Sequence, residues 1–165
     1  MEKRKKFEVK NLTIHIDGAS KGNPGEGACA AVFLNEKNEI IAEEGRVLGI
    51  CTNNFAEYSS LHLALTVAKR YNAKKLKIFS DSELLVKQFN GEYRIKDEKL
   101  KELMIVIKKE VKNFDSVEIV HIPREKNKIA DSFVNKLIKS KKLNKEDQKK
   151  LQKERENKFS QQDLF

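Results

Sequence analysis

The 165-residue sequence has no tryptophan, two prolines and two cysteines. Cys29 and Cys51 show neither a metal-ligand spacing nor the density of a disulfide scaffold, so we expect two reduced, buried thiols. No apolar run approaches the roughly 20 residues that a membrane-spanning helix needs. No apolar signal segment follows the basic residues 1–6. We therefore expect a cytoplasmic protein with no membrane partner.

Basic residues outnumber acidic ones by 34 to 25, which gives a formal net charge of +9. This excess favours a polyanionic partner. A solvated lysine-rich surface, a hot habitat or an AT-rich genome would produce the same composition. The charge also varies along the chain. It indicates a basic extension at residues 1–6, one globular domain at 7–140 and a charged, mobile or loosely helical tail at 141–165.

The hydrophobic pattern predicts an α/β domain with the element order β-β-β-α-β-α-α-β-α. The predicted strands cover residues 7–17, 27–35, 39–48, 75–80 and 116–122. The predicted helices cover residues 52–71, 82–90 and 97–113, with a last helix after residue 127. Short links make the first three strands an antiparallel meander. Two further parallel strands complete a mixed five-stranded sheet flanked by helices.

Four acidic residues stand at positions that stability alone does not explain. Asp17 ends the predicted first strand, before a loop with four of the seven glycines. Asp81 ends the fourth strand, and α/β sheets usually place their sites at this edge. Glu57 continues the apolar face of a helix, where an acid normally needs a partner. Asp131 lies in the first turns of the last helix.

Each acid also has a structural interpretation. Asp17 could start an Asx turn, and Glu57 could pair with a lysine. Asp81 lies within a capping-box pattern at residues 80–83, and Asp131 could be an ordinary helix residue. Together, however, the four could converge at one sheet edge. Because clustered carboxylates repel one another, such a site requires cations.

Carboxylate oxygens favour hard cations such as Mg²⁺ or Mn²⁺ over zinc. Two such ions would activate a water molecule and stabilise a leaving oxygen during phosphodiester hydrolysis. Combined with the basic charge of the chain, this chemistry indicates a nuclease.

Four motifs then resemble type 1 ribonuclease H. They are residues 16–20 with 22–25, residues 52–54 with 56–57, residues 80–82, and residues 130–132 with Asn135. They follow one another in the family's order and spacing over residues 7–140. Residues 81–93 and 123–127 look most like the compact bacterial and archaeal branch. Four motifs in this order are specific, whereas any one alone is weak.

The resemblance implies endonucleolytic cleavage of the RNA strand in RNA–DNA hybrids, leaving 5′-phosphate and 3′-hydroxyl ends. The family's metal-binding acids map onto Asp17, Glu57, Asp81 and Asp131. These acids would hold two Mg²⁺ ions in the active complex, with Mn²⁺ as a substitute. The same four residues are therefore the predicted catalytic groups.

The resemblance also implies substrate contacts. The positions concerned are Gly18, Ala19, Ser20, Thr52, Asn53 and Asn54. Asn53 and Asn54 match positions that contact the minor groove of the hybrid, and the backbone of residues 18–20 would lie near the RNA strand. A 2′-hydroxyl distinguishes RNA from DNA there. Lysine contacts to phosphates would add affinity without sequence preference.

Three departures from the family pattern affect these expectations. Only residues 91–98 separate the second and third helices, where some members carry a long basic protrusion. The loop before the last helix lacks the histidine found in many members. Arg124 is the predicted replacement, with His121 as the alternative, and it would order the attacking water or assist product release. Glu83 replaces a glutamine seen in some relatives.

The end of the chain suggests a second partner. Residues 161–165 resemble the peptide by which bacterial proteins bind the replicative sliding clamp, through Gln161, Leu164 and Phe165. A charged tether with a terminal apolar pair suits docking into a groove, although this pair could instead dock on its own domain. Two other functions remain open: a catalytically inactive, clamp-tethered hybrid-binding module, and a related DNA nuclease or integrase-like enzyme. Nothing in the sequence requires more than a monomer.

Overall fold

The computed structural model describes residues 9–162, without the side chains at positions 142–145, 147–148 and 158–162. The strands are β1 (Asn11–Gly22), β2 (Gly25–Leu34), β3 (Ile40–Cys51), β4 (Lys75–Ser80) and β5 (Ser116–His121). The α-helices are α1 (Asn53–Arg70), α2 (Glu83–Phe89), α3 (Glu98–Val111) and α4 (Lys128–Gln162). A 3₁₀ turn at Arg124–Lys126 precedes α4. Within the described part, no helix is long and apolar enough to cross a bilayer.

The strands form one mixed sheet in the order β3-β2-β1-β4-β5. Strand β2 pairs antiparallel with both β1 and β3. Strand β4 pairs parallel with both β1 and β5. The predicted α/β class and the mixed five-stranded sheet are therefore confirmed. The central position of β1 places its residues between the meander and the parallel strands.

The end of β1 was predicted wrongly. The strand does not stop at Asp17 but continues to Gly22, which pairs with Gly25 across a tight turn. The glycine-rich segment is thus largely part of a long β1–β2 hairpin. Pairing with β4, by contrast, ends at Ile16, which lies opposite Ser80. Asp17 is therefore the first residue of β1 beyond β4, so it still lies at the carboxyl edge of the parallel strands.

Apolar side chains cover both faces of the sheet, because successive strand residues point to opposite sides. On one face, helices α1, α2 and α3 bury the larger core, which includes Ile14, Leu61 and Ile78. On the other face, α4 packs Val134 and Ile138 against alanines of β2. This two-sided packing places β1 and its aspartate between two helical layers.

Helix α4 extends beyond the predicted domain boundary near residue 140. It continues to Gln162 as one 35-residue helix, where the sequence suggested a mobile or loosely helical tail. The segment contains neither glycine nor proline and is rich in lysine, glutamate and glutamine, which favour helix. The Lys141 ammonium pairs with Glu26 of the hairpin at 2.8 Å. The side chains from 149 to 157 are all exposed, so the helix projects past the sheet.

Candidate active site

The first two acids lie where the neighbouring strands β1 and β4 separate. Asp17 comes directly after the last β1 residue that pairs with β4, and Asp81 directly follows β4. Asp17 is 4% exposed, whereas Asp81 is half-buried. The parallel pairing of β1 and β4 therefore brings these carboxylates to one edge of the sheet.

A close approach of α1 to β1 supplies the third acid. The side chain of Thr52 caps α1 by accepting a hydrogen bond from the Phe55 amide at 3.1 Å. A Cβ atom at position 18 would lie 2.1 Å from the carbonyl oxygen of Ala56, so only glycine allows this contact. The Gly18 amide donates to Oε1 of Glu57 at 3.3 Å. Glu57 is thereby turned away from the apolar core and toward Asp17.

The capping-box interpretation of Asp81 does not describe its environment. Ser82, not Ser80, caps α2 by accepting from the Leu85 amide at 3.2 Å. Glu83 instead pairs with Lys87 at 2.7 Å. The Asp81 carboxylate is therefore left to face the other acids.

Three of the predicted acids meet closely enough to share a metal ion. One carboxylate oxygen each from Asp17, Glu57 and Asp81 lies within 4.8 Å of the others. Asp131 is not part of this trio, but it lies close enough to Asp17 to influence the pKa of that residue. Asp131 also pairs with the exposed Arg124 guanidinium at 3.7 Å. The predicted convergence of the four acids thus gives a tight trio with Asp131 beside it.

Burial and mutual repulsion make this cluster costly without a cation. Burial, together with the charge of Asp81, raises the pKa of Asp17 from 3.8 to about 7. Burial also raises the pKa of Glu57 well above its usual value, and the charges of Asp17 and Asp81 add to this effect. Near neutral pH the acids resist simultaneous ionisation, so a bound cation would strongly favour their charged forms.

The carboxylate oxygens of the trio fit a hard divalent cation. Oε2 of Glu57 is buried and has no hydrogen-bond donor among the described residues. All three ligand groups of the trio are carboxylates, the oxygen donors that Mg²⁺ and Mn²⁺ prefer. An acceptor that no donor in the described part of the chain satisfies, beside two further carboxylates, is the arrangement expected of a metal ligand rather than of a core residue.

One polar residue at the site has no counterpart in the sequence predictions. Asn127 is fully buried, and its Nδ2 donates to the carbonyl oxygen of Ile16 at 2.8 Å and to Oδ2 of Asp81 at 3.2 Å. Its Oδ1 lies 3.1 Å from Nδ1 of His15. Asn127 therefore connects β1, Asp81 and the start of α4. The sequence feature that could have indicated this role is the position of Asn127 four residues before Asp131.

The predicted substrate-contact residues Ser20 and Asn53 lie next to each other. The backbone amide of Ser20 donates to Oδ1 of Asn53 at 2.9 Å. The backbone amide of Asn53 donates to Oδ1 of Asn23 at 3.1 Å. These bonds join the hairpin to the start of α1. Asn54 is exposed and lines a groove with Tyr93.

The other predicted contacts differ in accessibility. Gly18 is fixed between β1 and α1, as described above, and Ala19 packs against the smaller core beneath α4. Of the two candidates for the loop role, both His121 and Arg124 are exposed, and Arg124 forms the ion pair with Asp131. In the clamp-like peptide, the backbone of Gln161 belongs to α4, while Leu164 and Phe165 lie outside the described residues.

Comparison with known proteins places this geometry in a family. A model of reverse transcriptase-like domains matches residues 15–137. Ribonuclease HI of Halobacterium salinarum is 35% identical over 124 residues, which cover 75% of this chain and 62% of that protein. The match to mycobacterial relatives spans only 34% of their length. The family model therefore matches most of the described part of the chain.

Solved structures give the same result. The crystal structure of RNase H1 from Halobacterium salinarum superimposes with a TM-score of 0.77 at 33% identity, covering 79% of this chain and 98% of that one. The structure of LC11-RNase H1 in complex with an RNA/DNA hybrid gives 0.75 at 34% identity, covering 78% and 97%. The chain belongs to the type 1 ribonuclease H family.

Proposed function

We propose that the protein is an endoribonuclease that hydrolyses the RNA strand of RNA–DNA hybrids, with 5′-phosphate and 3′-hydroxyl products. The observation that carries this proposal is the trio of Asp17, Glu57 and Asp81, whose oxygens lie within 4.8 Å of one another. The hybrid bound by LC11-RNase H1 supports the choice of substrate. The net charge of +9 suits a nucleic acid.

Asp17, Glu57, Asp81 and Asp131 are the residues we assign to two Mg²⁺ ions, with Mn²⁺ as a substitute. When bound, such ions activate water and stabilise the leaving oxygen of an in-line displacement. The position of Asp17 between two helical layers would hold its carboxylate in place during the reaction. Asn127 would keep Asp81 turned toward the same point through its 3.2 Å hydrogen bond.

The residues around the hairpin would select the hybrid. The Ser20–Asn53 hydrogen bonds, at 2.9 Å from both the amide and the hydroxyl of Ser20, fix the hairpin against α1. Backbone atoms of residues 18–20 would then face the RNA strand, where a 2′-hydroxyl is recognised. Thr52, Asn53 and Asn54 would contact the minor groove from the start of α1.

Arg124 is assigned to the loop role that a histidine fills in other members. Its guanidinium lies 3.7 Å from Oδ1 of Asp131 and is largely exposed, so it could leave this carboxylate and approach a phosphate. The role would be to order the attacking water or to assist product release.

The test is cleavage of a labelled RNA–DNA hybrid with Mg²⁺ and, separately, with Mn²⁺. Duplex DNA, duplex RNA and single-stranded RNA are tested in parallel reactions, and Asp17→Asn is the inactive control. Cutting of the hybrid alone, lost in Asp17→Asn, is the expected result. Binding of the hybrid without cutting under either metal would instead support the catalytically inactive binding module. Cutting of duplex DNA would support the integrase-like alternative.

We further propose a cytoplasmic monomer that reaches the replicative sliding clamp through residues 161–165. Deletion of these five residues should abolish clamp binding and leave hybrid cleavage unchanged. Unchanged clamp binding after the deletion would refute this partner.

A further inference from the structure

We propose that the projecting part of α4, residues 141–157, is a nucleic-acid-binding arm for the hybrid beyond the cleavage site. Lys149 and Lys153 would contact phosphates roughly nine to eleven base pairs from the scissile bond, at about 3 Å of duplex length per base pair. This inference rests on the proposed function, because it assumes that a hybrid lies against the acidic cluster.

The first observation is the charge of the arm. Residues 141–158 contain eight lysines or arginines and four acids. The described side chains from 149 to 157 are all exposed, so these charges are not used in packing. A duplex carries two negative charges per base pair, and each phosphate that a lysine neutralises releases a counterion. Charge complementarity therefore favours a nucleic-acid duplex as the occupant of this surface.

The second observation is the direction in which the lysines lie. Lys149 follows Asp131 by 18 residues, which is about five turns of an α-helix. Lys153 lies about 40° further around the axis. Both lysines thus occupy the helix face that presents Asp131 to the acidic cluster. We call Lys149 and Lys153 the basic stripe. Glu156 follows them on the same face.

The third observation is the way the arm is fixed. The Lys141–Glu26 ion pair, at 2.8 Å, attaches α4 to the hairpin. The packing of Val134 and Ile138 on β2 fixes the helix just before this point. At 1.5 Å per residue, Lys149 lies about 27 Å and Lys153 about 33 Å from Asp131 along the axis. The arm is therefore a continuation of an anchored helix. Only a duplex that extends this far from the acidic cluster can contact its lysines.

The experiment compares two double variants of the full chain. Lys149→Gln/Lys153→Gln removes the stripe, and Lys150→Gln/Arg155→Gln removes two charges from other faces of the same turns. Dissociation constants are measured in EDTA, without cleavage, for a 24-base-pair and an 8-base-pair hybrid across a salt series. The shorter hybrid, roughly 24 Å long, cannot span the distance from Asp131 to Lys149.

We expect the stripe variant to bind the long hybrid about five-fold more weakly at moderate salt, with a salt dependence reduced by about two counterions. Its affinity for the short hybrid should match that of the parent, and the control variant should change less than two-fold on either. Equal affinities of parent and stripe variant for the long hybrid would overturn the proposal. An equal loss in the control variant, or on the short hybrid, would overturn it as well.

Failure of the arm can be distinguished from failure of the proposed function. Cleavage of the short hybrid by the parent protein with Mg²⁺ tests the function alone. A parent that cuts this hybrid, but whose affinity for the long one does not depend on the stripe, refutes the arm and leaves the enzyme in place. Circular dichroism of each variant confirms that α4 is intact.

Discussion

Asn127 donates a hydrogen bond to Oδ2 of Asp81 at 3.2 Å, although 46 residues separate the two in sequence. The same amide group donates to the carbonyl oxygen of Ile16 at 2.8 Å. One buried side chain therefore satisfies a main-chain acceptor at the end of the β1–β4 pairing and orients an acid of the site. Loss of this side chain should therefore affect both the stability of the fold and the position of Asp81.

Asn127→Ala should lower the free energy of unfolding by about 2 kcal/mol, because it leaves a buried carbonyl without its donor. Hybrid cleavage should also fall, by about ten-fold, because Asp81 loses the group that orients it. Urea denaturation and cleavage rates at saturating metal measure the two effects. Asn113→Ala is the matched control, since its Nδ2 also donates to a carbonyl oxygen, at 3.0 Å, but in an exposed position. A loss as large in Asn113→Ala would contradict the explanation.

Asp17→Asn should stabilise the metal-free protein at neutral and alkaline pH. The folded state raises the pKa of Asp17 to about 7, above the unfolded value of about 3.9. Between these values the folded protein holds a proton that the unfolded chain releases, so parent stability falls as pH rises through this window. The gain in Asp17→Asn should be small at pH 4.5 and on the order of 2 kcal/mol at pH 8.

Urea unfolding in EDTA at the two pH values measures this difference. An equal gain at pH 4.5 and pH 8 would show that ionisation of Asp17 is not its source. Addition of Mg²⁺ at pH 8 should reverse the order, because the metal stabilises only the parent with its full set of carboxylates.

Divalent cations should raise the melting temperature of the parent protein. A ligand that binds only the folded state stabilises it by about 2.7 kcal/mol at 100 times its dissociation constant. Glu57→Gln should largely abolish this increase, because it removes one of the three charges that surround the ion. Glu118→Gln, an exposed change on β5, is the control and should keep the full increase. Thermal unfolding with and without Mg²⁺ provides the measurement, and an unchanged increase in Glu57→Gln would exclude that residue as a ligand.

Gly18→Ala should destabilise the fold by about 3 kcal/mol. The added Cβ would lie 2.1 Å from the carbonyl oxygen of Ala56 and 2.5 Å from the amide nitrogen of Glu57. Both are backbone atoms, so α1 must move away from β1 and carry Glu57 with it. Gly49→Ala serves as the comparison, because its site is open and its cost comes from a φ of +74°. That cost should be about 1 kcal/mol, and a larger loss there than at Gly18 would refute the packing argument.

The sheet and the acidic cluster could be predicted from local chemistry. Alternating apolar residues mark the strands, and a carboxylate on an apolar helix face, as at Glu57, is costly enough to signal a site. The end of β1 could not be predicted in this way. Whether the strand stops at Asp17 depends on its pairing with β2 beyond the end of β4, and that is a property of two segments rather than one.

Other features depended on long-range contacts. Asn127 is polar and stands in an apparent turn, so its burial follows only from a partner 111 residues away, Ile16. The composition after residue 140 is compatible with both a disordered tail and a helix. The anchored start of α4 favours the helix, because elongation of an existing helix needs no new nucleus.

The order of the pieces along the chain determines when the site can exist. The three acids of the trio all lie within the first 81 residues. Asn127, which binds Asp81, and α4, which covers the other face of the sheet, come only after residue 126. During synthesis, the carboxylates therefore leave the ribosome well before their support does. Because Asn127 and Asp131 both follow residue 126, the complete acidic site can form only after the last helix has been synthesised.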